Sequence, residues 1–396
     1  MIILSAIGGL NFLLPLIRFS FYDQMLVALE LTDTQIGTLG AIHGLLSVLG
    51  YFFSGILAGK ANVKKLLIIS CIGMAASSLW YATLPDYTSL IIIHILLGFF
   101  GVTTFWTPYL KTIRNLGNHS EQGRLFGMSE AVRGVAQTLV AFLCLGVMGL
   151  FAEVTMGFRA LVLINVAAFV ILTILVIFFI PDFDKEKAKE SVPEKTKVEE
   201  STSKGFIKIF LNSSTWICIF LVFCAYTLWI TVGSYMGTYT TRVLHVSPQL
   251  SSALSIIRSY IIVVVAGVTG GILMDKFRYK SQGMLTAFLS IAVFGVAMYF
   301  TSSMPLLCVM VTIVISYMAN AIKSTYWSIL GESGISIEDT AAAISIISTI
   351  GLSPDLFVPP VISRFIEYGE RIGNVDAGFD LMIFLDHCLG AIRSYC

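Results

Sequence analysis

The sequence predicts an all-α integral membrane protein made of two halves joined by a solvated linker. Three observations carry this. First, 56% of the 396 residues are hydrophobic and only 12% are charged, against roughly 25% charged in a soluble domain, and mean hydropathy is +0.86. Second, the apolar residues come in runs of about 20 or more, the length a helix needs to cross a bilayer. Short polar punctuation such as LTDTQ, GKANVKK, LPDY and DKFRYKSQ separates these runs. Third, the stretch Pro181 to Gly205, PDFDKEKAKESVPEKTKVEESTSKG, has almost no large apolar residue. A segment so charged cannot bury enough apolar surface to offset its ordering entropy, so it is either disordered or a short surface helix.

Taken in order, spans are expected at about 2–26, 34–59, 65–84, 88–112, 124–150 and 158–181. After the linker they follow at about 215–240, 249–274, 282–302, 304–329 and 341–366. The organisation is a first membrane half at 1–181, a linker at 182–205 and a second half at 206–396. The tail, EYGERIGNVDAGFDLMIFLDHCLGAIRSYC, has only the run Leu381 to Ile392, interrupted by Asp386 and His387. It reads as short and irregular, with the last helix missing or truncated. The start, MIILSAIGGL, lacks the basic region of a cleavable signal. The seven cysteines form no CxxC pair, and five lie inside apolar runs as small packing residues, so no disulfides are expected.

Lysine and arginine in the loops set orientation. Lys60, Lys64, Lys65, Arg114, Arg124, Lys276, Arg278 and Lys280 follow the second, fourth and eighth spans, whereas the loops after the first, third and ninth carry neither. The N-terminus and the linker are therefore expected in the cytoplasm of a multi-pass cell-membrane protein. A cysteine placed at Ser191 should resist labelling by an impermeant maleimide in intact cells; ready labelling would reverse the orientation.

The halves also repeat. SGILAGKANVKK at 54–65 answers GGILMDKFRYKS at 270–281, matching Gly55 to Gly271 and Lys60 to Lys276. Upstream, LELTDTQIGTLGAIHG answers LHVSPQLSSALSIIRS, with one residue inserted. Parallel repeats of six spans describe one large transporter architecture. With the central loop and the turn GILMDK, including Asp275, the chain resembles the major facilitator superfamily over about residues 1–366. The counterpart GILAGK has Gly59 where that family carries an acid. PLIRFSFYDQM, EQGRLFGMSEAVRG, STYWSILGESGI and GLSPDLF resemble the sugar-phosphate and sugar-acid branch near the organophosphate antiporters. The resemblance implies a fold of two six-helix halves that rock around a substrate held near the midplane.

Ionisable residues inside spans are costly and usually face a cavity or a partner. Arg18 has Tyr22 one turn on and Asp23 beside it. In the antiporters an arginine in the matching part of the first span contacts the substrate phosphate. Arg18 therefore binds an anion, pairs with Asp23 or another acid, or snorkels to the interface. Arg258 lies deep in the eighth span, as a second anion ligand or a member of a buried ion pair. Asp355 follows Pro354 and precedes Pro359 and Pro360, so it takes up a coupling proton, pairs with Arg258 or caps a broken helix. Glu130 and Arg133, with Lys111 and Lys323, read as inner-gate ion pairs more than as a substrate site. Trp106, Trp229, Trp327 and their aromatic neighbours either stack on a sugar or merely pack. His43 is a weak candidate for proton coupling. Gly55 with Gly59 and Gly267 with Gly271 permit close helix approach.

No enzyme signature survives. GILAGK lacks phosphate-loop spacing and its Ser or Thr, no nucleophile elbow appears, and the five histidines form no metal cluster. The expectation is a secondary active transporter, not an enzyme, with no cofactor and no nucleic-acid partner, working as a monomer. Nothing in the chain binds ATP, so an ion gradient or exchange must drive it. It would move a small organic anion by alternating access, with a proton or counter-anion as the coupled species. A non-transporting sensor on the same fold, or a carrier of neutral sugars or drug-like solutes, is the alternative.

Overall fold

The computed structural model describes residues 1–391 except 115, 117–121, 183–209, 327–345 and 348. Every regular element among them is helical. The chain divides into two compact units, Met1–Pro193 and Glu194–Cys396. Eight helical stretches among the described residues are individually long and apolar enough to cross a membrane.

Unit 1 begins with a broken span. Helix α1 (Ile2–Leu10) and helix α2 (Arg18–Ala28) are separated where one helix is expected. Pro15 lacks the N–H that would continue the ladder. The chain between crosses in tight turns, with Phe12, Leu13 and Ile17 donating to carbonyls three residues back. Phe21, at φ −135° and ψ 40°, breaks the regularity of α2 again. Then come α3 (Asp33–Lys60), α4 (Val63–Tyr81) and α5 (Tyr87–Gly98). A π-turn at Phe99–Thr103 leads to α6 (Trp106–Arg114), followed by α7 (Gln122–Met148) and α8 (Val154–Phe179). Helix α4 packs along α8, and α1 along α7. Asp86 caps α5, and the Ser89 hydroxyl, 2.6 Å away, holds its carboxyl below the ordinary range.

The first-half turn after α3 is tied down without an acid at Gly59. Asn62 caps α4 by accepting from the Lys65 N–H at 3.0 Å and donates to Asp182 Oδ1 at 2.7 Å. Lys64 Nζ reaches the Ile177 carbonyl at 2.8 Å. The acid of this turn thus comes from the end of α8. The side chains at Gly55, Lys60, Gly271 and Asp275 lie outside the described set, and Lys276 is exposed.

Unit 2 contains α9 (Ser213–Arg242), α10 (Pro248–Ile256), a π-turn at Ile257–Ile261, and α11 (Ile262–Asp275). Helices α12 (Lys280–Thr301), α13 (Pro305–Thr325), α14 (Pro354–Arg371) and α15 (Val375–Ala391) follow among the described residues. Gly267 and Gly270 face α13. A Cβ on Gly270 would sit 2.9 Å from the Ala321 Cβ, so the glycine lets the two backbones meet. Pro359 and Pro360 do not end α14.

The tail corrects the expectation of an irregular end, because it forms α15, packed on α14, α9 and α12. Its buried face is Gly378, Phe379 and Met382, a helical spacing. Phe379 meets Tyr239 edge-on at 5.6 Å. Gly369 and Gly378 bring α14 and α15 into backbone contact, since a Cβ on Gly378 would lie 2.6 Å from the Phe365 carbonyl oxygen. That contact supplies packing which hydropathy alone does not register.

The internal repeat is visible in the backbone. Glu30 and His245 both take left-handed φ, 51° and 54°. Two residues on, Thr32 and Ser247 cap α3 and α10 by accepting from the Gln35 and Leu250 N–H groups. Both helices therefore start from the same strained residue and the same hydroxyl cap.

Candidate functional site

Arg18 opens α2 and is only 3% exposed. Its Nη1 donates to the Pro15 carbonyl at 3.3 Å, an acceptor beside the proline break. The guanidinium lies 5.2 Å from the Phe19 ring centroid and fills the space above Gly40, where a Cβ would meet Cζ at 2.9 Å. His43 and His94, both buried, lie within electrostatic reach of Arg18. Tyr22 is buried one turn on, and Asp23 is half-buried beside it.

Trp106 and Arg133 come together. The Arg133 guanidinium sits 5.8 Å from the Trp106 ring and 5.9 Å from Phe12. Tyr51 meets Trp106 edge-on at 5.4 Å. Gly8 and Gly9 of α1 make room for Arg133, its Cδ lying 3.3 Å from a Cβ built on Gly8. Below them Tyr109, Ser129 and Ser5 form a hydroxyl chain with links of 2.6 and 2.7 Å. Arg133 therefore belongs to an aromatic cluster. The expected Glu130 pairing falls on a side chain outside the described set. Lys111 donates to the Ala58 carbonyl at 3.3 Å.

In unit 2, Arg258 stands in the π-turn and is 3% exposed. Such turns recur at functional sites. Its Nη1 donates to Thr312 Oγ1 at 3.0 Å and to Thr240 Oγ1 at 3.5 Å, and its Nη2 donates to Ser255 Oγ at 3.0 Å. These partners come from α13, α9 and α10, and all are neutral. Among the described residues Arg258 has no carboxylate partner, so the possible pairing with Asp355 is not formed.

Asp355 instead accepts from the Tyr226 hydroxyl at 2.8 Å and sits in the first turn of α14, where the helix dipole favours an anion. Tyr226 stacks on Trp229 at 5.4 Å. Trp229 Nε1 donates to Asn320 Oδ1 at 3.0 Å, and Lys323 Nζ lies 3.2 Å over the Trp229 ring. Lys323 is thus on an aromatic face, a cation–π contact. Trp327 lies outside the described residues. Sequence reasoning missed Thr240, Ser255 and Thr312, ordinary helical hydroxyls with no periodic signal. It also missed His94, an isolated polar residue in the run IIIHILL that the cost of burial marks out.

Comparison with known proteins agrees with this architecture. The family model described as Major Facilitator Superfamily matches residues 1–359. The chain is 26% identical over 371 residues to the inner membrane protein YqcE of Escherichia coli (strain K12), covering 92% of this chain and 86% of that one. It is 27% identical over 384 residues to the inner membrane protein YihN of the same strain, covering 96% and 90%. Among solved structures, a D-xylose-proton symporter superposes with TM-score 0.75 at 16% identity, covering 100% of this chain and 95% of that one. The nucleoside transporter NupG does so with TM-score 0.75 at 14% identity, covering 99% and 98%. Those identities speak for the fold alone. From its family match, its spans and its fold, this chain belongs to the major facilitator superfamily of multi-pass membrane transporters.

Proposed function

We propose that the chain is a secondary active transporter of a small organic anion, a sugar acid, sugar phosphate or similar solute, working by alternating access. One observation carries this reading: Arg258 is buried with three hydroxyl partners and no carboxylate among the described residues. A buried guanidinium keeps its charge at ordinary pH, and leaving it uncompensated costs several kcal/mol, of the order found for buried ions. An anionic ligand removes that cost, and the planar fork offers it two parallel donors. Arg18, beside the break between α1 and α2, is the matching candidate in unit 1. Half-helix termini at broken spans are where transporters of other folds hold anionic groups.

The neutral-sugar reading draws on the xylose-proton symporter and on the aromatic clusters. Against it, Trp106 and Trp229 each have a cation on the ring, Arg133 and Lys323, so a sugar would have to compete for those faces. The test is a thermal-shift screen of purified protein against glucose 6-phosphate, D-glucuronate, D-glucose and D-xylose. The anions are expected to raise the melting temperature most. A best ligand that is neutral or cationic would overturn the anion reading.

A further inference from the structure

Ser255 and Thr312 hold Arg258 alike, each accepting from it at 3.0 Å, but their own protons go to different places. A hydroxyl has one proton to donate and two lone pairs with which to accept. Thr312 gives its proton to the Val309 carbonyl at 2.8 Å, and Thr240 gives its own to the Met236 carbonyl at 2.7 Å. Thr231 and Ser316 do the same with the carbonyl one turn back, the ordinary arrangement for a helical hydroxyl. Ser255 only accepts: among the described residues its proton has no acceptor. The residue is 3% exposed, and a buried donor without an acceptor is rare enough to call for a reason. Gly237 of α9 lets the hydroxyl sit where it does, since a Cβ there would lie 2.5 Å from Ser255 Oγ. Ser251 Oγ fixes the approach by donating to the Gly237 carbonyl at 2.7 Å.

The internal repeat marks the same position independently. With Thr32 set against Ser247, as the shared cap requires, Ser255 is matched by Gly40. Gly40 is the residue of α3 over which the Arg18 guanidinium lies. In both units, then, a guanidinium lies against the residue at the same distance past the cap. One arginine arrives from α2 and the other from the π-turn that follows α10. Unit 1 has no side chain at that position, whereas unit 2 has a hydroxyl with its proton to spare.

We propose that Ser255 is a ligand-binding residue: its hydroxyl donates to the oxyanion that Arg258 holds, a carboxylate or a phosphate. The proposal rests on the anion reading above. Bonded to Arg258 Nη2 at 3.0 Å, the Ser255 hydroxyl stands beside a cationic donor, so one oxyanion accepts from both. A hydroxyl donating to an ionised oxygen makes a short, charge-assisted bond. The two donors also reinforce each other, because the guanidinium polarises the hydroxyl that passes its own proton to the anion. Thr240 and Thr312, whose protons are already placed, position the guanidinium and do not touch the ligand.

The test compares two hydroxyls that are equal as holders of Arg258 and unequal as donors. Binding of D-glucuronate and of glucose 6-phosphate is titrated into purified full-length wild type, Ser255→Ala and Thr312→Val. Ser255→Ala should weaken binding of whichever probe wild type takes by about tenfold or more, as loss of a hydrogen bond to a charged group implies. Thr312→Val should weaken it by about threefold or less, because the bond it removes is lost from the free and the bound protein alike. Ser255→Cys, close in shape and only a weak donor, should fall between wild type and Ser255→Ala, and it carries the comparison if Ser255→Ala does not fold. Equal losses in the Ser255 and Thr312 variants, or none in those of Ser255, would reduce Ser255 to a support for Arg258 and leave the anion site standing. If wild type binds neither probe, the anion reading fails and this proposal fails with it.

Discussion

Arg258→Leu is expected to raise the melting temperature of the ligand-free protein while abolishing its response to anions. The two effects have one cause. Arg258 is a buried cation held by hydroxyls alone among the described residues. Replacing buried ionic groups with packed apolar ones often stabilises, by about 1–4 kcal/mol. The hydroxyls left behind are not all stranded: Thr240 also donates to the Met236 carbonyl at 2.7 Å and Thr312 to the Val309 carbonyl at 2.8 Å. Anion affinity should fall by about a hundredfold, as hydrogen bonds to charged groups are worth about 1.5–3 kcal/mol. Arg258→Lys keeps the charge but loses the fork, and should lose at least about tenfold in affinity. Calorimetry with and without D-glucuronate checks all three numbers. A destabilised Arg258→Leu that still binds the anion would make Arg258 a structural cation.

Gly40→Ala should weaken anion binding by about tenfold or more and cost the fold little. The added Cβ would lie 2.9 Å from Arg18 Cζ and 3.1 Å from Nη1. That is the far end of a flexible side chain, so the arginine moves and the helices stay. The charge survives while its position is lost, and about 1.4 kcal/mol of lost binding is already tenfold. Gly73→Ala is the opposite control. Its Cβ would lie 2.2 Å from Cγ of Phe100, the near end of the ring and not a flexible tip, so overpacking should cost about 1–3 kcal/mol of stability. Binding titrations and melting curves of the two variants should separate these outcomes. Equal binding by Gly40→Ala and wild type would remove Arg18 from the anion site.

Eight of the expected spans coincide with stretches of the described residues long and apolar enough to cross a membrane, because hydropathy reports burial in lipid, and runs such as the one around Val154–Phe179 are unmistakable. It could not see breaks within a run. Pro15 sits among leucines and Asn11 is the one polar residue between Leu10 and Arg18, too little to lower the hydropathy of the run. Nor does hydropathy sense helical register, which is why both π-turns were invisible. The tail was misread for a related reason: its helix is held by the glycine contact of Gly369 and Gly378, and packing by absent side chains has no hydropathic signature. At the candidate site, charge in an apolar run is what drew attention to Arg18, Arg258 and Asp355. Their partners depend on which helix faces which. The Tyr226–Asp355 bond, the hydroxyls at Arg258 and the Trp106–Arg133 stack therefore had to come from the structure.

The π-turn at Ile257–Ile261 also explains an irregularity in the repeat. Counting from the paired caps Thr32 and Ser247, the second half runs one residue longer before it reaches Gly271, the partner of Gly55. Helix α3 crosses the corresponding stretch as an uninterrupted α-helix. A wider turn absorbs one extra residue without changing where a helix begins or ends. The surplus residue is thus stored locally, as a slipped stitch in one row of an otherwise matched fabric. An ancestral duplication followed by a single-codon insertion next to Arg258 would leave this trace, and it would have let the two copies diverge at one position while their ends stayed in step.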